Sequence, residues 1–232
     1  MREKFRVIMA GVVLACALTA CVNNGGGGSE AKGNIESKAK KNDDSDKEKK
    51  VEFSVGEADE DVYSNKMLGI KADVSSNGMK LANNEELSSF DTGVKDRSDT
   101  AEVQDVLDKG GIFVDMYAYS TEHGMDSINI VIENTKKTTK TEDIDSYIDA
   151  VIPKLEAEFK KTGFSEVKVE KAKLTFLGEE VTGISTGLAD KDIQQYQKQV
   201  FVQQGDYVAT ITSAAENEEQ ALAGIALFEK IE

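Results

Sequence analysis

Two apolar segments decide the fold, Ile112-Phe113-Val114-Asp115-Met116-Tyr117-Ala118-Tyr119 and Ser127-Ile128-Asn129-Ile130-Val131-Ile132-Glu133. Both are rich in the β-branched and aromatic residues that fit a pleated sheet, and a polar segment containing Gly124 joins them. Apolar runs of this length, separated by turn residues, are typical of neighbouring strands. We therefore predict that they form an antiparallel strand pair.

A long amphipathic helix is predicted directly after this pair. Its apolar residues recur at helical spacing, and they are Ile144, Ile148, Val151, Leu155 and Phe159. Thr141 is the predicted N-cap, and Gly163 follows the predicted end. Pro153, the only proline of the chain, lies inside the run. Because proline lacks a backbone donor, we expect it to kink the helix or to divide it into two.

The rest of the chain after this helix predicts an antiparallel meander and a final helix. The predicted strands cover residues 166–170, 174–177, 181–184, 197–202 and 207–212. Gly178-Glu179 and Gly205-Asp206 are the predicted turns between strands. Asn217 and Gln220 have the spacing of a helix cap. The helix that they begin would place Ala221, Leu222, Ile225 and Phe228 against the sheet.

On the N-terminal side of the strand pair, more strands come first and two short helices follow. Residues 51–56 alternate polar and apolar side chains like a half-buried strand, and residues 62–65 and 68–74 are predicted to form a hairpin. Asn83 and Asp99 are each followed three residues later by glutamate, which is the spacing of a capping box. Runs of strands separated by helices predict an α+β fold, with a twisted antiparallel β-sheet flanked by helices.

The start of the chain has the parts of an export signal. The basic segment Met1-Arg2-Glu3-Lys4-Phe5-Arg6 precedes an uncharged run of sixteen residues, 7–22, and Leu18-Thr19-Ala20-Cys21 lies at the end of that run. Sixteen residues are fewer than the roughly 18 to 20 that span a bilayer as a helix, so a cleaved signal fits better than a permanent span. The arrangement resembles the signal peptide and lipobox of bacterial lipoproteins, which implies cleavage before Cys21 and a diacylglycerol on its sulfur. Val13-Leu14-Ala15-Cys16 is the alternative lipobox, with a less suitable leucine and a shorter apolar core.

Three regions follow from these signals: a lipoprotein signal peptide at residues 1–20, a lipidated, disordered and charged tether at 21–50, and a single α+β domain at 51–232. The whole chain has a net charge of −15. Residues 1–20 hold three basic residues and one acidic residue, and the tether holds seven and six, so residues 51–232 carry −18. Such a domain is not suited to nucleic acid, which requires a basic face. With Cys16 removed and Cys21 lipidated, no thiol remains for a disulfide.

Several short strings carry a second resemblance. They are Val62-Tyr63-Ser64-Asn65 leading to Leu68-Gly69-Ile70, Ile128-Asn129-Ile130-Val131-Ile132-Glu133-Asn134, Phe176-Leu177-Gly178-Glu179-Glu180, and Gly205-Asp206-Tyr207-Val208 leading to Ile211-Thr212. With the order of elements, they resemble lipid-anchored proteins of Gram-positive bacteria, mostly of unassigned function, that have a PsbP-like α-β-α sandwich. Relatives of that fold include an extrinsic photosystem II subunit and a Ran-binding nuclear-import factor. The resemblance implies a scaffold for protein contacts.

Few residues point to a reaction. His123 is the only histidine, so any serine or cysteine nucleophile activated by histidine would depend on it, and we interpret it as a turn residue. The acidic run Glu57-Ala58-Asp59-Glu60-Asp61 is interpreted as a solvated turn, with a calcium site as the alternative. No catalytic, metal-binding or cofactor-binding residue is assigned, and no cofactor is expected.

Two further stretches have open alternatives. Residues 194–199, which hold four glutamines, are interpreted as the wet face of a strand, with ligand binding as the alternative. Tyr117 and Tyr119 share a strand face, where they suit either a partner surface or packing beneath a helix.

From these features we predict a non-enzymatic lipoprotein, held by Cys21 on the extracytoplasmic face of the cell membrane. Its partner would be an unidentified envelope protein or polymer. The alternatives are a small-ligand or calcium-binding module and, third, a hydrolase that acts through carboxylates.

Overall fold

The computed structural model describes residues 52–90, 93–191 and 193–231. Cys21, the signal peptide and the tether lie outside this part of the chain. The described residues form eleven strands, four α-helices and a short 3₁₀ helix. In chain order they are β1 Glu57–Asp59, β2 Val62–Asn65, β3 Ile70–Asp73, the 3₁₀ helix Val74–Asn77, β4 Met79–Leu81, α1 Asn84–Ser88, α2 Thr100–Asp108, β5 Ile112–Ser120, β6 Ser127–Asn134, α3 Ile144–Lys161, β7 Glu166–Phe176, β8 Glu179–Asp190, β9 Ile193–Gln204, β10 Tyr207–Ala215, α4 Glu218–Ala226 and β11 Phe228–Lys230.

The strands form two antiparallel sheets. The larger has seven strands in the order β4-β5-β6-β10-β9-β8-β7, and the smaller has four in the order β1-β2-β3-β11. The predicted strand pair is adjacent, with Phe113 opposite Ile132. The predicted hairpin is β2 paired with β3. The prediction of an α+β fold with an antiparallel sheet flanked by helices is therefore confirmed.

The seven-stranded sheet is covered on both faces. One face carries Ile128, Ile130 and Ile132 of β6, which belong to the same core as side chains of α2, α4 and the smaller sheet. On the opposite face, buried residues of α3 pack on β8 and β10, and Leu87 of α1 packs near Val114 of β5. Burial on both sides explains why every residue of β6 is buried although its sequence alternates. No helix in the described ranges is both long and apolar enough to cross a membrane.

The predicted helix caps are mostly confirmed. Asn83 and Glu86 form a complete capping box at α1, and Asp99 and Asn217 cap α2 and α4. Asp143, and not Thr141, caps α3, because its carboxylate accepts from the backbone N–H of Ser146.

Of the two predicted effects of Pro153 on α3, a kink or a division, the division is wrong. The helix runs without interruption from residue 144 to residue 161, with the proline inside it. Val151, Leu155 and Phe159 continue the same buried face on both sides of the proline. Their packing stabilises the helix more than the loss of a single backbone hydrogen bond weakens it.

The predicted strand at residues 51–56 is also wrong. Residues 52–56 form no strand, and Phe53 packs its ring 5.0 Å from the ring of Tyr207 instead. The first strand is β1 in the acidic run, which pairs with β2. A strand requires a hydrogen-bonded neighbour, and alternation alone does not provide one.

Several boundaries also differ from the prediction, and three of them change how elements connect. Residues 166–170 and 174–176 belong to one long strand, β7, which turns into β8 at Leu177 and Gly178, one residue earlier than predicted. Both of these residues have positive φ, as a type I′ turn requires. The turn at Gly205-Asp206 is confirmed between β9 and β10. The final helix ends at Ala226, and Phe228 begins β11, which pairs with β3.

The outer edge of the seven-stranded sheet is β7, and it carries many charges. Lys168, Lys171 and Lys173 alternate along it with acidic and apolar residues. Lys168 pairs with Glu170 at 2.7 Å, and Lys171 pairs with Asp149 of α3 at 2.8 Å.

Candidate functional site

A β-bulge in β5 positions the first residue of the candidate site. The register of β5 against β6 shifts between Val114 and Met116, which leaves Asp115 as the extra residue. A bulge changes the direction of a side chain, and bulges are common at sheet edges and binding sites. Asp115 is only 7% exposed. Its carboxylate lies in the core between the two sheets.

Three donors of the N-terminal segment hold the Asp115 carboxylate. The backbone N–H of Gly56 donates to Oδ1 at 2.8 Å, and the amide of Asn65 donates to Oδ2 at 2.8 Å. The hydroxyl of Tyr63 also donates to Oδ2, at 2.5 Å. Asn65 and Tyr63 belong to β2, so this network ties the smaller sheet to the larger one.

Burial sets the protonation behaviour of this network. Desolvation raises the pKa of Asp115 above its ordinary value, although the three donors and the nearby charge of Arg97 oppose that shift. Desolvation and the Asp115 charge raise the pKa of Tyr63 well above its ordinary value. Both shifts follow from the cost of placing a charge in a poorly solvated interior.

Arg97 is the second buried charge of the site. It is 9% exposed, its Nη2 donates to the backbone carbonyl of Val114, and its guanidinium carbon lies 4.5 Å from the centre of the Phe113 ring. Its other terminal nitrogen, Nη1, is buried and has no hydrogen-bond partner in the part of the chain that the structure describes. No acidic side chain of residues 52–90, 93–191 and 193–231 forms an ion pair with it. Burial lowers the pKa of Arg97 and Asp115 opposes this, but a guanidinium stays protonated.

Arg97 and Asp115 line a cleft with a volume of about 550 Å³. We call it the Arg97 cleft. The cleft lies beside β5, next to residues of β5 that come before its pairing with the short edge strand β4. Its lining is partly apolar, through Leu81, Leu87 and Met116, and it also has five exposed polar residues, which are Glu57, Glu60, Asn83, Asn84 and Ser98. Apolar walls with a few placed polar groups are typical of small-molecule sites, and this volume lies in their usual range.

A second buried cation lies elsewhere in the seven-stranded sheet. Lys198 of β9 is 3% exposed, and its ammonium donates to the hydroxyl of Ser185 at 2.7 Å and to the carboxylate of Glu218. Glu218 lies in the first turn of α4, and the ammonium lowers its pKa. The charge of Lys198 is thus paired within the protein.

The structure corrects the interpretation of residues 194–199 as a wet face. Gln195, Gln197 and Gln199 are each only 1% exposed, on a strand in the middle of the sheet. The amide of Gln199 donates to the Thr212 hydroxyl at 3.1 Å, and the amide of Gln197 donates to Gln195 at 3.3 Å. Buried carboxamides that hydrogen-bond to neighbouring side chains have the same sequence pattern as a solvated strand face.

The other predicted residues lie where a structural role accounts for them. His123 is in the exposed turn between β5 and β6. Tyr117 and Tyr119 stack with ring centres 5.9 Å apart, and Tyr117 packs with Leu87 and Phe90, which favours the helix-packing alternative.

The acidic run contributes β1 and the turn that follows it, where Asp61 accepts from the backbone N–H of Leu81. Across the described part of the chain, no three histidine, cysteine or acidic side chains come together as a metal site would require. Glu57 and Glu60 of this run line the Arg97 cleft instead.

The sequence analysis missed both buried charges of the cleft. A single aspartate between Val114 and Met116 in an otherwise apolar strand is a detectable signal, because an unpaired charge is rarely placed in a core. Arg97 lies in a polar loop with no periodic pattern, so no comparable signal marks it.

The chain matches no protein-family model. No curated protein matches it either.

Proposed function

We propose that this chain is a membrane-anchored lipoprotein, lipidated at Cys21 on the extracytoplasmic face, whose folded domain binds a small ligand in the Arg97 cleft without chemical conversion. The anchor rests on the lipobox-like sequence, and the ligand site rests on the structure. One observation carries the ligand site. Arg97 lines a cleft of about 550 Å³, and its buried Nη1 has no hydrogen-bond partner among the described residues. A small rotation of the guanidinium toward the cleft would bring Nη1 within reach of a ligand.

A buried donor without a partner costs about 1 to 3 kcal/mol, and more when it is charged. Such a cost is common at sites that complete their hydrogen bonds with a ligand. A small ligand with an acceptor oxygen would satisfy Nη1, while the apolar walls would bury the rest of it. This supports the small-ligand alternative over the docking of a protein.

The exposed surface supports the same choice. Among the described residues, the large hydrophobic side chains that are exposed are Val62 and Leu222. Interfaces between proteins usually have a core of buried aromatic and aliphatic anchors. Two aliphatic side chains are too few for such a core.

The hydrogen bonds that Asp115 and Tyr63 already make within the protein support binding without catalysis. Asp115 accepts three hydrogen bonds, one of them from the Tyr63 hydroxyl, and these occupy three of the roughly four lone-pair sites of its carboxylate. A general base or nucleophile must also reach the substrate, and Asp115 is only 7% exposed. The geometry favours a fixed network that shapes the floor of the cleft.

Thermal unfolding of the full chain in detergent, with a panel of amino acids, peptides, sugars, nucleosides and carboxylic acids, tests the ligand site. A ligand at 100 times its dissociation constant should stabilise the protein by about 2.7 kcal/mol. The effect should be lost in Arg97→Gln and in Asn84→Ala, and it should persist in the matched surface variant Lys95→Gln. The ligand site is disproved if no compound in the panel stabilises the protein, or if the stabilisation survives both cleft substitutions.

Cell fractionation tests the anchor independently. We expect Cys21→Ala to leave the membrane fraction, because a chain without its acyl groups has no stable hold on the bilayer. Cys16→Ala is the matched control and should stay in the membrane. Retention of Cys21→Ala, together with an unmodified amino terminus by mass spectrometry, would remove the anchor from the proposal.

A further inference from the structure

We infer that the ligand of the Arg97 cleft is a small zwitterion with an apolar side chain, such as an amino acid or a short peptide, whose carboxylate binds Arg97 and whose ammonium faces the acidic rim. This inference rests on the proposed ligand site and specifies its chemistry. It follows from three features of the cleft: the free donor of Arg97, the carboxylates of the rim, and the apolar wall.

The floor of the cleft requires an acceptor. Arg97 is donor only, and among the described residues its Nη1 has no acceptor. Asp115, whose charge acts on Arg97, already accepts from Gly56, Tyr63 and Asn65. A ligand carboxylate would therefore provide the strongest partner available to a guanidinium, a charge-assisted hydrogen bond.

The rim opposes a ligand that carries only negative charge. Glu57 and Glu60 line the cleft and are exposed, and within the described residues only Glu57 has an ion pair, a long one of 3.5 Å to the exposed Lys66. Asp115 adds a third carboxylate, and residues 51–232 carry a net charge of −18. A phosphate or a dicarboxylate would be repelled by this field. A carboxylate that brings its own ammonium would be attracted at both ends.

The walls give the third part of the ligand. Val55, Leu81, Leu87, Phe113 and Met116 line the cleft. Val55 and Leu81 are half-buried and provide the accessible apolar surface, while Phe113 and Met116, at 1% and 2% exposure, belong to the packed core behind it and hold the wall in place. An aliphatic side chain on the ligand would be removed from water against it, at about 25 cal/mol for each Å² of apolar surface buried.

Calorimetric titration of the full chain in detergent tests the inference with matched probes. Leucine and leucyl-leucine have both charges, leucinamide lacks the carboxylate, and N-acetyl-leucine lacks the ammonium. We expect a zwitterionic probe to bind, and the loss of either charge to weaken binding by about 10- to 100-fold. Equal binding of leucine and leucinamide, or of leucine and N-acetyl-leucine, would overturn the inference.

Variants assign each preference to a residue. Arg97→Gln removes the positive charge and should abolish the preference for leucine over leucinamide, whereas Arg97→Lys keeps the charge and should retain part of that preference. The double variant Glu57→Gln, Glu60→Gln should abolish the preference for leucine over N-acetyl-leucine. Asp59→Asn, on the same strand as Glu57 but outside the cleft lining, is the control and should keep both preferences.

The outcomes separate this inference from the proposed function. If a neutral sugar or nucleoside binds in a manner that depends on Arg97, while the zwitterions do not, the ligand site stands and the zwitterion is wrong. If no compound of the panel binds, both fail. If a zwitterion binds equally well to Arg97→Gln and to the rim double variant, the binding lies elsewhere and the inference is wrong.

Discussion

Arg97 and Lys198 are both buried cations in a strongly acidic domain, yet their surroundings differ. Lys198 is 3% exposed and is bonded to Ser185 and Glu218 of the same chain. Arg97 is 9% exposed, bonds a backbone carbonyl, and leaves Nη1 without a partner beside a cleft. A buried charge alone therefore does not mark a site. The difference lies in whether the protein itself completes the hydrogen bonds of that charge.

The two cations also act on different parts of the fold. Lys198 connects the middle of the seven-stranded sheet to the first turn of α4, and so it holds a helix in place. Arg97 bonds the edge of β5 at the residue before the Asp115 bulge. If this comparison is correct, substitutions near Lys198 should change stability alone, whereas those near Arg97 should change stability and binding.

The largest effect is expected from Asp115→Ala, which should lower the free energy of unfolding by about 3 kcal/mol. The substitution leaves Tyr63, Asn65 and the Gly56 N–H without their shared acceptor, and it removes the charge that compensates Arg97. Urea unfolding followed by circular dichroism measures this. The exposed Asp59→Ala should change stability by less than about 0.5 kcal/mol. A similar small value for Asp115→Ala would mean that the network does not hold the two sheets together.

A smaller effect is expected at the other cation. Glu218→Gln should destabilise the protein by about 1 kcal/mol, because Lys198 then remains buried without its counter-ion. The value is modest because the Glu218 side chain is itself 60% exposed. Lys198→Met in the same chain should restore most of the loss, because a well-packed apolar residue needs no partner. Absence of this rescue in a double-mutant cycle would show that Lys198 and Glu218 are not coupled.

The smallest effects concern pH, and the two regions should respond with opposite sign. Burial raises the pKa of Asp115 above 3.8, so Asp115 binds its proton more tightly in the folded protein than in the unfolded chain. The stability that this shift contributes is therefore present at low pH and is lost as pH rises through the folded pKa. Lys198 lowers the pKa of Glu218 below 4.5, so its contribution is present above that value and is lost as pH falls through the folded pKa.

Unfolding curves from about pH 3 to about pH 7 for the wild type and for Asp115→Asn and Glu218→Gln isolate each contribution by difference. Added salt should reduce the Glu218 difference more than the Asp115 difference, because only Glu218 is exposed to the screening ions. Differences of the same sign at both residues would contradict the comparison.

Periodicity predicted the elements of the fold whose apolar patterns are long. The existence of the α3 helix and the pairing of β5 with β6 were predicted correctly for this reason, although the N-cap of α3 was not. The strand at residues 51–56 was wrong because alternation does not report whether a neighbour exists to accept its hydrogen bonds. The residues of β1 escaped prediction because acidic side chains have low β-propensity, and the pairing with β2 determines the strand.

The candidate site was harder to predict for a related reason. Burial depends on what the rest of the chain places above a residue, and no local pattern contains that information. The sequence suggests that Gln197 is solvated, but the side chain is buried. The sequence suggests that Arg97 is an ordinary loop residue, but it lines a cleft. The chemistry of both positions depends on contacts between residues distant in sequence. The sequence singled out Glu57, Glu60 and Tyr117 of the cleft lining, but for other roles, and of the two buried charges only Asp115 carries a signal in the sequence.

The charges along the outer strand β7 bear on how copies of the protein would behave when they are held close together at a membrane surface. If the chain is anchored as proposed, it would meet copies of itself in the membrane plane far more often than a protein free in three dimensions. The eleven-residue strand β7 pairs with β8 on one side, and its other side, which has no partner among the described residues, could join one copy to the next. Lys168, Lys171 and Lys173 place positive charges along that strand, and charged side chains disfavour edge-to-edge pairing. Crowding should therefore leave the domains separate, so that each one has its own accessible cleft.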